Sequence, residues 1–203
     1  TKHHTKIVAI AGGLGSFEPR KPLIPNIADF EDKGVEYIIK EPELYRDKKV
    51  VISGGGDSAL DWAIFLSNIA SEVTLIHRRN EFRGALDSVE KVQELKNLGK
   101  IRLITPAEVK GILGTDKVTG VAVEKKGENA FIVDADHFIP LFGLSPKLGP
   151  IGNWGLSIEK NAIKVDTFDY QTNIPGVYAI GDVNTYPGKL KLILCGFHEA
   201  TLM

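Results

Sequence analysis

Three small groups of residues in this 203-residue sequence have the types and spacing to do chemistry. The first is Gly54, Gly56 and Ala59, a G-x-G-x-x-A pattern that follows the apolar run 50–52 and opens a helical pattern. In such a turn the first glycine allows a tight bend and the second lets backbone approach a pyrophosphate. The third small residue lets the helix pack closely on the strand. Gly55, Asp57 and Ser58 fill the same turn, where the first N–H groups of a helix lack partners inside it and attract phosphate. The triplet alone is a weak signal, because a glycine turn between strand and helix is often only a turn.

The second group decides which nucleotide would sit there. A site for a dinucleotide with a bare ribose 2′-hydroxyl places Asp or Glu at the end of the second strand, about twenty residues on. Here that strand ends in His77-Arg78-Arg79, with Arg83 one turn further. Guanidinium groups pair with a 2′-phosphate through charge-assisted bonds. Two such contacts at about 1.5 kcal/mol each give a preference for NADPH over NADH on the order of a hundred-fold. The competing reading is a solvated basic surface turn. The third group is Gly181-Asp182 at the end of an apolar run, which puts a carboxylate at the carboxyl edge of a sheet, where ligands bind in α/β folds.

The elements that must position these groups can be read in order. Residues 7–11 read as a buried strand with almost no lead-in, and Pro19, Pro22 and Pro25 then break any regular element. Residues 35–39 read as a strand. Strand 49–53, a helix carrying Leu60, Ala63, Ile64 and Ile69, and strand 73–76 form one β-α-β unit. Val89, Val92, Leu95 and Leu98 make an amphipathic helix closed by Gly99. A strand at 101–105, a meander of 108–113, 118–124 and 131–133, and a buried strand at 138–142 follow. The glycine–proline segment 143–150 is a second boundary, followed by a strand at 174–180 and a helix started by Gly196. The expected class is α/β. A Rossmann-like NADPH-binding domain at 30–142, a parallel sheet with a small antiparallel meander, is inserted between two pieces of another domain, 1–29 and 143–203.

Composition narrows the classes. With 25 Lys+Arg against 26 Asp+Glu the formal charge is −1, which argues against nucleic acid or an anionic membrane surface as partner. Hydrophobic residues at 43% and charged residues at 25% are ordinary for a globular chain. No apolar run approaches the roughly 18 residues of a membrane span, and no secretory leader is read. Cys195 is the single cysteine, so there is neither an internal disulfide nor a dithiol pair. The expected location is cytoplasmic. No metal site and no acid–base residue are nominated.

Several strings carry a resemblance: Gly-Ser-Phe-Glu-Pro-Arg (15–20), Gly-Gly-Gly-Asp-Ser-Ala-Leu-Asp-Trp-Ala (54–63) and His-Arg-Arg-Asn-Glu-Phe-Arg (77–83). Leu-Gly-Pro-Ile-Gly-Asn-Trp-Gly-Leu (148–156), Ile-Pro-Gly-Val-Tyr-Ala-Ile-Gly-Asp (174–182) and Gly-Phe-His-Glu-Ala (196–200) extend it over essentially the whole chain. The sequence resembles the two-dinucleotide flavoprotein reductases of the thioredoxin reductase type, and among them the bacterial ferredoxin–NADP reductases built on that scaffold. The resemblance implies that Gly54 to Ala59 and His77, Arg78, Arg79 and Arg83 hold NADPH. It implies that Asp182, beside Gly181, hydrogen-bonds the ribityl chain of FAD and that Phe17 sits against the flavin. Gly196 resembles the position whose helix dipole faces the isoalloxazine. The resemblance also implies a homodimer, and two hinge segments, 19–25 and 143–150, about which the NADPH domain rotates.

Two departures from the family pattern matter. Thioredoxin reductases proper carry a Cys-x-x-Cys pair where Ile38 and Glu41 stand here. Without a dithiol, electrons cannot leave by thiol exchange, which favours a one-electron acceptor such as ferredoxin or a similar iron–sulfur protein. The family also begins with a β-α-β unit bearing its own glycine turn for FAD and ends in a tail that caps the flavin. Neither is in this sequence, so the chain reads as a fragment that alone binds NADPH and little or no FAD. Two other readings stay open: a flavin reductase with another acceptor, and a stand-alone NADPH-binding module.

Overall fold

In the computed structural model, which describes residues 3–13, 15–125 and 127–203 without the side chains of Ser16, Phe17 and Pro146, the chain forms two compact units. One is Pro19–Gly143; the other joins Thr1–Glu18 to Leu144–Met203. The strands in chain order are β1 (Val8–Ile10), β2 (Ser16–Pro19), β3 (Lys49–Ser53), β4 (Glu72–Ile76), β5 (Ile101–Ile104), β6 (Ala107–Gly114) and β7 (Val118–Lys125). They continue with β8 (Phe131–Asp134), β9 (His137–Pro140), β10 (Leu144–Lys147), β11 (Ile158–Glu159), β12 (Ala162–Lys164), β13 (Val177–Ala179) and β14 (Asn184–Thr185). The α-helices are α1 (Asp57–Leu66), α2 (Leu86–Asn97) and α3 (Ile193–Leu202).

Val50, Val51 and Ile52 are all buried, yet a strand turns successive side chains to opposite faces. Val50 and Ile52 therefore pack with Leu60 and Leu66 of α1 and Val92 of α2, while Val51 packs with Val121 and Val123 of the meander. The same alternation sends Leu75 and Ile139 to the helices and Ile76 and Phe138 to the meander. The result is three layers around a parallel sheet of order β5-β4-β3-β9, with β6-β7-β8 as the antiparallel layer. β3 and β4 pair from Lys49 opposite Glu72 to Ser53 opposite Ile76, so the glycine turn and the basic turn leave the same sheet edge side by side. Gly99, at φ +73°, ends α2 as the sequence pattern requires.

The outer unit has a smaller core of Ile10, Leu156, Ile163, Ala179 and Val183. β1 runs parallel to β13, β12 joins β11 antiparallel and β14 parallel, and β2 pairs with β10. Among the described residues no helix is long and apolar enough to cross a membrane.

Several sequence expectations need correction. Residues 35–39 form no strand: Val35 makes single bridges to Glu31 and Phe138, and Ile38, 53% exposed, is already off the sheet. Residues 19–29 pack with the inserted unit instead of the outer one, because Ile24 and Ile27 are buried against Val109 and Ile112 and Asn26 donates to the Ile112 carbonyl. Ile69 lies beyond α1, which ends at Leu66 with Ser67 at its C-cap. The last helix starts at Ile193 and not at Gly196: Leu192 is extended and stands at its N-cap, and Ile193, Leu194 and Cys195 before the glycine continue the helix, which one interior glycine weakens by only about 1 kcal/mol.

Candidate functional site

The first candidate site is the turn between β3 and α1. An ideal Cβ at Gly54 would lie 2.7 Å from both the Ala59 Cβ and the Leu141 carbonyl oxygen. The first and third small residues are thus required by close packing of strand against helix. Gly56 differs. Its backbone, at φ −102° and ψ 178°, is open to any residue, and a Cβ there would meet nothing within 4 Å. The protein's own packing gives no reason for a glycine at 56. A bare backbone at the N-terminus of a ten-residue helix does have a reason if a phosphate approaches it.

The basic turn is clipped onto this glycine turn. The Arg83 N–H donates to the Gly55 carbonyl at 2.7 Å, the Ala85 N–H to Asp57 Oδ1 at 2.7 Å, and the Ser88 hydroxyl to Asp61 Oδ1 at 3.0 Å. Asp57 and Asp61 accordingly serve the turn itself. Ser58 is exposed in the first turn of α1. The His77 ring is buried, stacks on Phe82 at 5.1 Å, and faces the Glu81 carbonyl through Nε2 at 3.1 Å. It lies so close under Gly55 that a Cβ there would be 2.2 Å from a ring carbon. Burial pushes the imidazole below its ordinary value; the Glu81 carbonyl opposes this and Arg78, Arg79 and Arg83 add to it. His77 is thus packed between the two turns, with Nε2 engaged by the Glu81 carbonyl. Arg78, Arg79 and Arg83 are exposed and form no ion pair among the described residues.

The second candidate site lies in the outer unit. A cavity of about 360 Å³ is bounded by Ala11 and Gly13 after β1, by Ile180, Gly181 and Asp182 after β13, and by Ile193, Gly196 and Phe197 of α3. Asp182 is half-buried and its carboxylate accepts no hydrogen bond from the described residues, so its lone pairs are open to a ligand hydroxyl. Gly196 is the fourth residue of α3, and a Cβ on it would meet the Gly181 Cα at 3.3 Å. That contact, and not a helix start, is what a glycine at 196 permits. The expectation for Phe17 falls on a side chain outside those described.

Sequence reasoning passed over Glu199. It is fully buried and accepts hydrogen bonds from the Gly181 N–H at 2.7 Å, Asn184 Nδ2 at 2.9 Å and the Tyr186 hydroxyl at 2.9 Å. Lys189 Nζ is its fourth donor. Burial pushes the carboxyl up, but the bonds from Lys189, Gly181 and Tyr186 outweigh it and hold the group below the usual carboxylate range. The available signal was a lone acid in an apolar helix, three residues after a glycine and therefore on the same face. Cys195 is half-buried, and the segment around Ile38 and Glu41 carries no thiol. Among the described residues no cluster of His, Cys, Asp or Glu could hold a metal ion.

Residues 3–200 match the pyridine nucleotide-disulphide oxidoreductase family. The chain is 74% identical to a ferredoxin–NADP reductase of Flavobacterium johnsoniae, over 100% of this chain and 58% of the relative. It is 48% identical to a ferredoxin–NADP reductase of Bradyrhizobium diazoefficiens, over 98% of this chain and again 58% of the relative. The chain thus spans well under two thirds of the length of these curated relatives. Among solved structures, thioredoxin reductase of T. acidophilum superposes with a TM-score of 0.79 at 26% identity, over 98% of this chain and 64% of that one. Thioredoxin reductase of Lactococcus lactis gives 0.76 at 27%, over 98% and 63%. The fold is that of the two-dinucleotide-binding flavoproteins, and the chain belongs to the pyridine nucleotide-disulphide oxidoreductase family.

Proposed function

We propose that these residues form the NADPH-binding unit and part of the FAD-binding unit of a ferredoxin–NADP reductase, a cytoplasmic homodimer in its full-length form. The observation that carries the cofactor choice is the basic turn 77–83, which hydrogen bonds from Arg83 and from Ala85 just beyond it clip onto the glycine turn. Gly56 and the N-terminus of α1 then receive the pyrophosphate, and Arg78, Arg79 and Arg83 receive the 2′-phosphate. In the outer unit Asp182 would hold a hydroxyl of the bound FAD by accepting its hydrogen bond, and the first N–H groups of α3 would favour negative charge on the group held in the cavity. FAD, when bound there, would supply the redox chemistry that links a two-electron donor such as NADPH to a one-electron acceptor.

The reading of the acceptor is supported by the relatives and by one segment of the sequence. The segment around Ile38 and Glu41 carries no thiol pair for exchange with a disulfide, and the relatives at 74% and 48% identity are ferredoxin–NADP reductases; both support ferredoxin as acceptor. The test is NADPH-driven reduction of ferredoxin and of thioredoxin, side by side, by the full-length flavoprotein that carries these residues. Fast ferredoxin reduction with a silent thioredoxin lane is expected. Thioredoxin reduction, or a silent ferredoxin lane, would overturn the assignment of acceptor.

A further inference from the structure

Glu199 and Lys189 have no part in the reaction as read above, and neither is within reach of a ligand. Glu199 is 0% exposed and the Lys189 side chain 6%, with the ammonium also 5.2 Å from the centroid of the Tyr186 ring. Stability alone does not explain such a pair, since apolar residues of similar volume often serve a core as well or better. Its geometry gives another reason. Gly196 and Glu199 lie on one face of α3, and both meet residue 181: Gly196 by close approach to its Cα, Glu199 by accepting its N–H. Asn184 ties the same carboxylate to the Ala179 carbonyl at the end of β13. Loop and helix are therefore joined at the points that bound the 360 Å³ cavity.

We propose that Glu199, kept charged and in place by Lys189, is a positioning residue that sets the spacing between α3 and the Gly181–Asp182 loop and so the affinity of that cavity for the flavin. This rests on the reading of the cavity as an FAD site. Lys189 holds the acid ionised, and the ionised acid has acceptor sites for four donors at once. A neutral glutamine has one acceptor oxygen fewer, and its N–H₂ group would face Lys189 or the Gly181 N–H.

The test uses the full-length flavoprotein and four variants: Glu199→Gln, Lys189→Met, the two combined, and Tyr186→Phe. FAD affinity is measured by fluorescence, the flavin absorption band is recorded, and NADPH affinity serves as the internal control. Each charge variant is expected to weaken FAD about ten-fold or more and to shift the absorption band, with NADPH affinity unchanged. The combined variant recovers part of the loss, because no buried charge is left alone. Tyr186→Phe removes one bond without stranding a charge and gives a smaller loss, even if Glu199→Gln does not fold. Unchanged FAD affinity and spectrum in every folded variant would overturn the inference and leave the FAD reading standing. Parallel loss of NADPH and FAD would overturn it in favour of a merely structural role. A parent protein that takes no FAD would overturn the FAD reading and the inference together.

Discussion

The inserted unit braces its candidate site on every side with its own residues, whereas in the outer unit the described residues brace the candidate site from one side. Around Gly54 to Ala59 each constraint is met from within the unit: Ala59 under Gly54, His77 under Gly55, and the basic turn bonded back to Gly55 and Asp57. Around Gly181 and Asp182 the loop is locked from behind by Glu199, but the cavity is lined on the other side by apolar side chains of α3 that the described residues leave exposed. Ile193 is 83% and Phe197 71% exposed. A helix usually turns such a face to a core. The difference teaches that a glycine turn can be braced on every side from within its own unit while the loop of the other unit is braced on one side only.

The largest effect expected from breaking this contrast is Glu199→Ala. It strands a buried ammonium and three other donors and should cost the outer unit about 3–5 kcal/mol. Hydrogen exchange during denaturant unfolding should show that loss in the outer unit alone; equal loss in both would mean that the units do not act separately. Next comes replacement of any two of Arg78, Arg79 and Arg83 by Ala. NADPH affinity should fall on the order of a hundred-fold with NADH affinity unchanged, as read by fluorescence titration. Gly55→Ala drives a Cβ into a buried, stacked ring and should destabilise the inserted unit by about 1–3 kcal/mol, visible as a lower melting temperature that Gly56→Ala does not reproduce.

The smallest effects are in pH. His77 has a folded pKa below its unfolded value of 6.5, so its unfolded form binds protons first. Stability of the inserted unit should decline as pH falls below 6.5 and level off below the lower folded value. Glu199 acts in a lower window. Its folded pKa is held under 4.5, so its contribution is complete above that value and is lost as pH falls through the folded one. Unit-resolved hydrogen exchange between pH 8 and 3 would separate the two; acid softening of the outer unit first, near pH 6, would contradict both assignments.

Much of the inserted unit could be read from its sequence, because its signals are local. Alternation in β3 and β4, the G-x-G-x-x-A spacing and the glycine closing α2 each involve residues close in the chain. The unit's first segment was not legible, since Ile24 and Ile27 are buried by Val109 and Ile112, far along the chain. The outer unit was harder still: β10, β11, β12 and β14 are two to four residues long and gain their partners across the chain. For the candidate sites, the turn residues were nominated by type and spacing, and Asp182 took its role from the family resemblance. The place of His77 between the two turns and the lock at Glu199 come from packing, which no spacing rule encodes.

The central proposal, that the inserted unit holds NADPH with its own residues while the outer unit alone holds little flavin, is tested most directly by titrating this 203-residue chain with NADPH, NADH and FAD in parallel. The account predicts saturable NADPH binding, NADH weaker on the order of a hundred-fold, and little or no retained FAD. Equal affinity for NADPH and NADH, or a yellow chain holding stoichiometric FAD, would contradict it.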